Sequence, residues 1–307
     1  YFSNYDNYVL LKNNSITLKY ENKNLNIVGE SEYSFDTSYN KIKYNINKKK
    51  DIYDFLTLIN FGNNPIKIKP INYSKKENKK SNLKLKGSYN KNKVNFNEII
   101  YNEGKNFFEV EDLSLNNNYK IVAINKVKIG YLNSNNKKNE FTIEKDLTYY
   151  NLSGTSFDSY DLINDILLSD NDKSFLDNFN LSDETVLNIN LNKVFLDKEN
   201  FSKNLLGKVI IKNNKVHNLN LSSIFENNGK FKLDIKTSNN NKKTTSFYSV
   251  NAEPFVKHFK FIKGFKGGII DFYSVKENNM SNSKLNISDF NIKEFPALAN
   301  ILRLASF

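Results

Sequence analysis

The stretch Leu187-Asn188-Ile189-Asn190-Leu191 alternates aliphatic and amide side chains with a period of two. Successive side chains of a β-strand point to opposite faces, so such a run has one dry side and one wet side. The stretch Phe231-Lys232-Leu233-Asp234-Ile235 repeats the pattern. Shorter versions are Leu25-Asn26-Ile27, Ile66-Lys67-Ile68, Leu83-Lys84-Leu85, Phe141-Thr142-Ile143 and Leu285-Asn286-Ile287. Asparagine tolerates positive φ, and Asn-rich turns fall between the runs: Gly62-Asn63-Asn64, Asn116-Asn117-Asn118, Asn213-Asn214, Asn227-Asn228-Gly229 and Asn239-Asn240-Asn241. The pattern predicts a mainly β chain, an antiparallel meander with one apolar face.

Helical signals are few and short. Asp51 to Ile59 reads as one helix ending near Gly62. Asp158 can cap a second, with Leu162, Ile163, Ile166 and Leu167 aligned on one face. Pro254 suits the first turn of a third, which carries Phe255, Phe259 and Ile262; Pro296 suits a fourth, with Leu298, Ile301, Leu302 and Ala305. The polar run Lys75 to Asn82 reads as an exposed loop. The best boundary lies between Tyr149 and Gly154, which gives a β-rich segment 1–150 and a second module 151–307.

Composition narrows the function. The chain has 307 residues and a net charge of +12, but Arg303 is its only arginine, and asparagine occurs 56 times. Residues with AT-rich codons abound and Gly, Pro, Ala, Arg and Trp are scarce. A protein that reads bases or phosphates keeps arginine for bidentate contacts. The positive charge is therefore read as codon bias, and no nucleic-acid partner is expected. DNA should bind only weakly at physiological salt; sub-micromolar, sequence-dependent binding there would contradict this reading. Cysteine is absent, which removes disulfides and thiolate metal sites. No uncharged apolar run reaches the length of about 18 residues that a spanning helix needs. The first residue is Tyr1 and the last, Phe307, falls inside an apolar helical pattern, so the chain reads as part of something longer.

Nothing in the sequence looks like catalysis. His217 and His258 have no partner motif, and no metalloprotease, P-loop or dinucleotide fingerprint occurs. Gly264-Phe265-Lys266-Gly267-Gly268 runs into a strand rather than a helix, so it reads as a turn and not as a phosphate cradle. Leu152-Ser153-Gly154-Thr155-Ser156-Phe157 lacks the second glycine of a nucleophile elbow. No enzyme activity, cofactor or metal is expected.

Several pieces in order resemble the C-terminal module of the AsmA-like family, the group that includes AsmA, TamB and YhdP. They are Gly154 with Asp158 at a helix entry, the strand Leu187 to Val194, Phe247 to Ala252, the pair Gly267-Gly268, and Phe290 followed by Pro296, Leu298 and Ala299. Glu253 stands where that pattern has glycine. The resemblance implies an elongated, twisted antiparallel sheet curled into a hydrophobic groove. It implies a Gram-negative envelope protein of the periplasm, anchored to the inner membrane by a segment outside these residues. Its groove would conduct phospholipid acyl chains between inner and outer membranes, with other envelope proteins as further partners. Alternation makes Leu187, Ile189, Leu191, Phe231, Leu233, Ile235, Leu285 and Ile287 the candidate groove residues. The alternatives are an assembly factor for outer-membrane proteins that works by strand addition, a purely structural β-sandwich, and a basic nucleic-acid binder.

Overall fold

The computed structural model describes residues 9–34, 39–62, 64–68, 71–76, 79–160, 184–213, 215–238, 240, 242–256, 264–277 and 280–292. The chain is mainly β and falls into two compact units that meet in sequence at Leu147 and Thr148.

In the first unit the strands are β1 (Leu10–Glu21), β2 (Asn24–Ser34), β3 (Asn40–Lys49), β4 (Ile52–Asn60), β5 (Ile66–Ile68) and β6 (Tyr73–Lys75). They continue as β7 (Asn82–Asn90), β8 (Lys93–Glu103), β9 (Asn106–Asn116), β10 (Ile121–Ala123), β11 (Lys126–Leu132) and β12 (Lys138–Asp146). The sheet runs β1-β2-β3-β4-β7-β8-β9-β11-β12, each pair antiparallel. Short β10 adds to β9, and β5 and β6 form a separate two-stranded hairpin. Asn22 and Lys23, both at positive φ, close the two-residue turn between β1 and β2. That geometry matches the right-handed twist of the flanking strands. A β-bulge between Lys86 and Gly87 brings the strands so close that a Cβ on Gly87 would lie 2.0 Å from the carbonyl oxygen of Asn95. Only glycine fits there.

The second unit holds β13 (Tyr149–Asp158), β14 (Glu184–Phe195), β15 (Phe201–Lys212), β16 (Lys215–Ile224), β17 (Lys230–Thr237), β18 (Lys243–Ser249), β19 (Phe265–Glu277) and β20 (Met280–Ile292). A four-residue helix, α1 (Glu253–Val256), lies between β18 and β19. Sequence neighbours pair antiparallel from β14 to β20. The one departure from the expected antiparallel sheet is β13 with β14, which are parallel. Parallel neighbours need a crossover of a dozen or more residues, and the chain between Asp158 and Glu184 is long enough.

Three sequence expectations are corrected. Asp51 to Ile59 is not a helix: β4 fills it, between β3 and β7. Its residues alternate, with Tyr53, Phe55, Thr57 and Ile59 partly buried on one side and Asp54, Leu56 and Leu58 exposed on the other. Pairing on both edges outweighs the local helical pattern. Lys75 to Asn82 is not simply an exposed loop: Lys75 ends β6 at 1% exposure, Ser81 is fully buried, and Asn82 opens β7. Gly267 and Gly268 are not a turn either. Both have positive φ inside β19, near Asp289 of β20, which also has positive φ; the register with β20 runs unchanged through them, so they kink the strand without ending it.

Each unit buries a small core near one end of its sheet. In the first, Tyr33, Phe61, Tyr73, Tyr101, Ile129, Tyr131 and Phe141 are all below 9% exposed. In the second, Ala252 and Val256 of the α1 segment pack with Phe265 and Ile270, and Phe247, Ile287 and Ile292 lie against them.

Candidate functional site: two uncovered apolar faces

Residues directly opposite each other across a ladder share a face, so the register traces rows across each sheet. In the first unit one row runs Ile16, Gly29, Tyr44, Thr57, Leu85, Ile99, Val110, Val127, Ile143 from β1 to β12. Gly29 makes room for the Tyr44 ring, which would lie 2.4 Å from an added Cβ. The opposite face carries ion pairs, with Val28, Leu56 and Leu58 exposed among them. Lys43 reaches Glu30 at 3.0 Å and Lys126 reaches Glu144 at 3.1 Å. Hydrogen bonding and attraction from Lys43 hold the Glu30 carboxyl below its ordinary range, and Glu144 holds Lys126 above its own. These exposed pairs contribute little to stability. They do offset much of the lysine charge locally.

The second unit has an unbroken apolar row: Leu152, Ile189, Gly207, Leu221, Leu233, Phe247, Phe272 and Leu285, one residue from each strand between β13 and β20. At about 4.8 Å per strand it spans roughly 34 Å. Parallel to it runs Tyr150, Leu187, Val209, Leu219 and Ile235. Asn190, Asn220 and Asp234 project from the other face, where the Asn220 amide hydrogen-bonds the Asp234 carboxylate.

All eight groove candidates therefore lie on one face. They do not lie in one environment. Leu187, Ile189, Leu233 and Ile235 are partly exposed, and Leu285 is 48% exposed. Leu191 and Phe231, at 3% and 8% exposure, are buried. Phe231 stacks on Phe255 with ring centroids 5.6 Å apart and meets Phe247 edge-on at 5.6 Å. Ile287 packs on the α1 cluster. The partly exposed part of the face is thus the row through Ile189 as far as Leu233, with Tyr150, Leu187, Leu219 and Ile235 of the parallel row; Val209 is buried at 8% exposure and Phe247 packs on Phe255. Among the described residues every strand of each unit except β5 and β6 belongs to a sheet containing such a row, and the β5–β6 hairpin packs on one end of the first unit's dry face.

The resemblance residues fall on structural positions. Gly154 sits in β13 opposite Leu191. Asp158 ends β13, and its Oδ1 accepts from the Tyr160 amide at 3.2 Å, as a helix N-cap does. Gly267 opposes Phe290, whose ring stacks on Phe265 at 5.2 Å. The Glu253 carboxylate accepts from the Gly267 amide at 3.0 Å and so ties α1 to β19. Pro296, Leu298 and Ala299 lie outside the described residues, as do Leu162 to Leu167, His258, Phe259 and Ile262.

Sequence reading missed the covering of the first unit's dry face near the ends of β4 and β8. The β5–β6 hairpin places Tyr73 among Tyr101, Phe108 and Tyr131, at ring separations of 5.9, 4.7 and 5.5 Å. The Tyr73 hydroxyl lies 2.7 Å from that of Tyr101 and donates to Glu103 at 2.6 Å. Burial first, and the Glu103 hydrogen bond second, raise the Tyr73 hydroxyl far above its ordinary pKa, so it stays a donor. The Lys75 ammonium donates to the carbonyls of Gly62 at 2.8 Å, Asn64 at 2.7 Å and Lys76 at 3.4 Å. A lysine in a polar run gives no hint of such burial, because its partners are backbone atoms.

Among the described residues no group of three or more His, Cys, Asp or Glu side chains could hold a metal, and no helix is long and apolar enough to cross a membrane. No family model, no curated protein and no solved structure matches the chain.

Proposed function

We propose that this chain is a non-enzymatic lipid-binding segment of the AsmA-like kind, which holds phospholipid acyl chains on its dry faces and passes them along the rows. In this reading it works in the Gram-negative periplasm between the inner and outer membranes. The observation that carries it is the apolar row from Leu152 to Leu285, over which no second sheet lies among the described residues and which meets α1 at Phe247. A soluble sheet rarely leaves so long an apolar surface without something to cover it. Each acyl methylene that leaves water there contributes about 0.8 kcal/mol. A row that crosses the strands, rather than following one, presents a similar apolar surface at every step, so a chain can slide without meeting a polar barrier. The AsmA-like motifs supply the choice of lipid as the occupant.

Photo-crosslinking tests the assignment of faces. A photoreactive residue at Ile189 or Leu233 is expected to capture phospholipid in Gram-negative cells. The same group at Asn190 or Asp234, on the polar face, is expected to capture none. Capture confined to the polar positions would overturn the reading.

A further inference from the structure

The dry face of the second unit changes character along its strands. Across β17 to β20 the row Leu233, Phe247, Phe272, Leu285 is apolar. The row two residues further along is Ile235, Thr245, Ser274 and Ser283, where the Ser283 hydroxyl donates to that of Ser274 at 2.9 Å. The next is Thr237, Lys243, Lys276 and Ser281. Two residues of strand cover roughly 6.7 Å, so apolar, hydroxyl and cationic rows succeed one another within about 13 Å. That sequence matches an amphiphile: hydrocarbon, hydroxyl-bearing linker, anionic head.

The two lysines are placed against their own interest. Lys243 and Lys276 face each other directly across the ladder, an arrangement that costs stability for like charges. Nearby lysines have carboxylate partners: Lys242 with Glu277 at 3.7 Å, Lys232 with Asp234 at 3.2 Å and Lys212 with Glu184 at 2.8 Å. Among the described residues neither Lys243 nor Lys276 forms an ion pair. Burial, and then the charge of Lys276, depress the pKa of Lys243, so an anion between them would relieve a strain that the protein leaves uncompensated.

We propose that Lys243 and Lys276 bind the phosphate of a lipid headgroup whose acyl chain lies on the row through Leu233, Phe247 and Phe272. The proposal rests on the acyl-chain reading above and adds the headgroup chemistry: an anionic phosphate lipid is preferred over an uncharged one.

Isothermal titration of the full chain with three monomeric probes tests it: a lysophosphatidic acid, the monoacylglycerol with the same acyl chain, and inorganic phosphate. The wild-type chain is expected to bind the lysophosphatidic acid about tenfold or more tighter than the monoacylglycerol, since charge-assisted contacts to phosphate are among the stronger polar ones. The double variant Lys243→Gln, Lys276→Gln should lose that preference and keep its affinity for the monoacylglycerol. Its thermal midpoint should not fall, because a repulsive pair has been removed. A preference that survives in the double variant overturns the headgroup site and leaves the acyl-chain reading standing. Inorganic phosphate bound as tightly as the lysolipid would overturn the lipid headgroup as its source. Failure of both amphiphiles to bind the wild-type chain would overturn the two readings together.

Discussion

Tyr73→Ala is expected to destabilise the first unit by about 3–5 kcal/mol, the range for deleting a buried aromatic ring. Tyr73 is 2% exposed and touches three other rings, so its removal leaves a cavity that β5 and β6 are too short to close. Tyr73→Phe keeps the ring and loses the hydroxyl. It leaves Tyr101 without that partner, while Glu103 retains the Asn106 amide at 2.8 Å. A smaller loss of about 1–3 kcal/mol should follow. Amide hydrogen exchange is the suitable readout, because it reports each strand separately. Protection should fall in β8, β9 and β11, whose rings surround Tyr73, with β16 and β17 unchanged. Native-like protection around Tyr73→Ala would mean that the hairpin is a loose flap and not part of the core.

Phe231→Ala is expected to cost the second unit a similar amount, about 3–5 kcal/mol, whether or not lipid is present. The ring is 8% exposed and lies between Phe247 and Phe255, which themselves meet at 4.7 Å. It is the contact through which β17 holds α1, and α1 holds Gly267 of β19 through Glu253. Leu233→Ala, two residues along the same strand, removes a side chain that is already partly exposed. It should cost clearly less in the free protein. Urea unfolding of the two variants gives the comparison. Equal costs would mean that the face at Leu233 is a packed core rather than an open seat.

This difference shows how far the sequence can be read. Alternation in Leu187 to Leu191 and Phe231 to Ile235 predicts the strands and the side each residue faces, since a period of two is a property of the strand alone. It cannot say what lies over that side. Phe231 and Leu233 read alike in sequence, yet one is covered by α1 and the other is not. A period of two also carries no direction, so the parallel pairing of β13 with β14 leaves no trace in it. Asp51 to Ile59 misleads because an acidic start, a run of apolar residues and a terminal glycine are also how helices begin and end. The neighbours that make it a strand are brought in by β3 and β7. The unmatched lysines at 243 and 276 are a property of register, and a one-residue slip would put them on opposite faces.

The proposed function depends on lipid occupying the apolar rows, and native mass spectrometry of the chain purified from Gram-negative cells without detergent measures that directly. The wild-type chain is expected to carry bound phospholipid. Leu221→Asp with Leu233→Asp, which places two charges in the middle of the row, should strip it, and Lys232→Asp on the polar face should leave it in place. A wild-type chain that carries no lipid, or a row variant that retains as much as the wild type, would contradict the account.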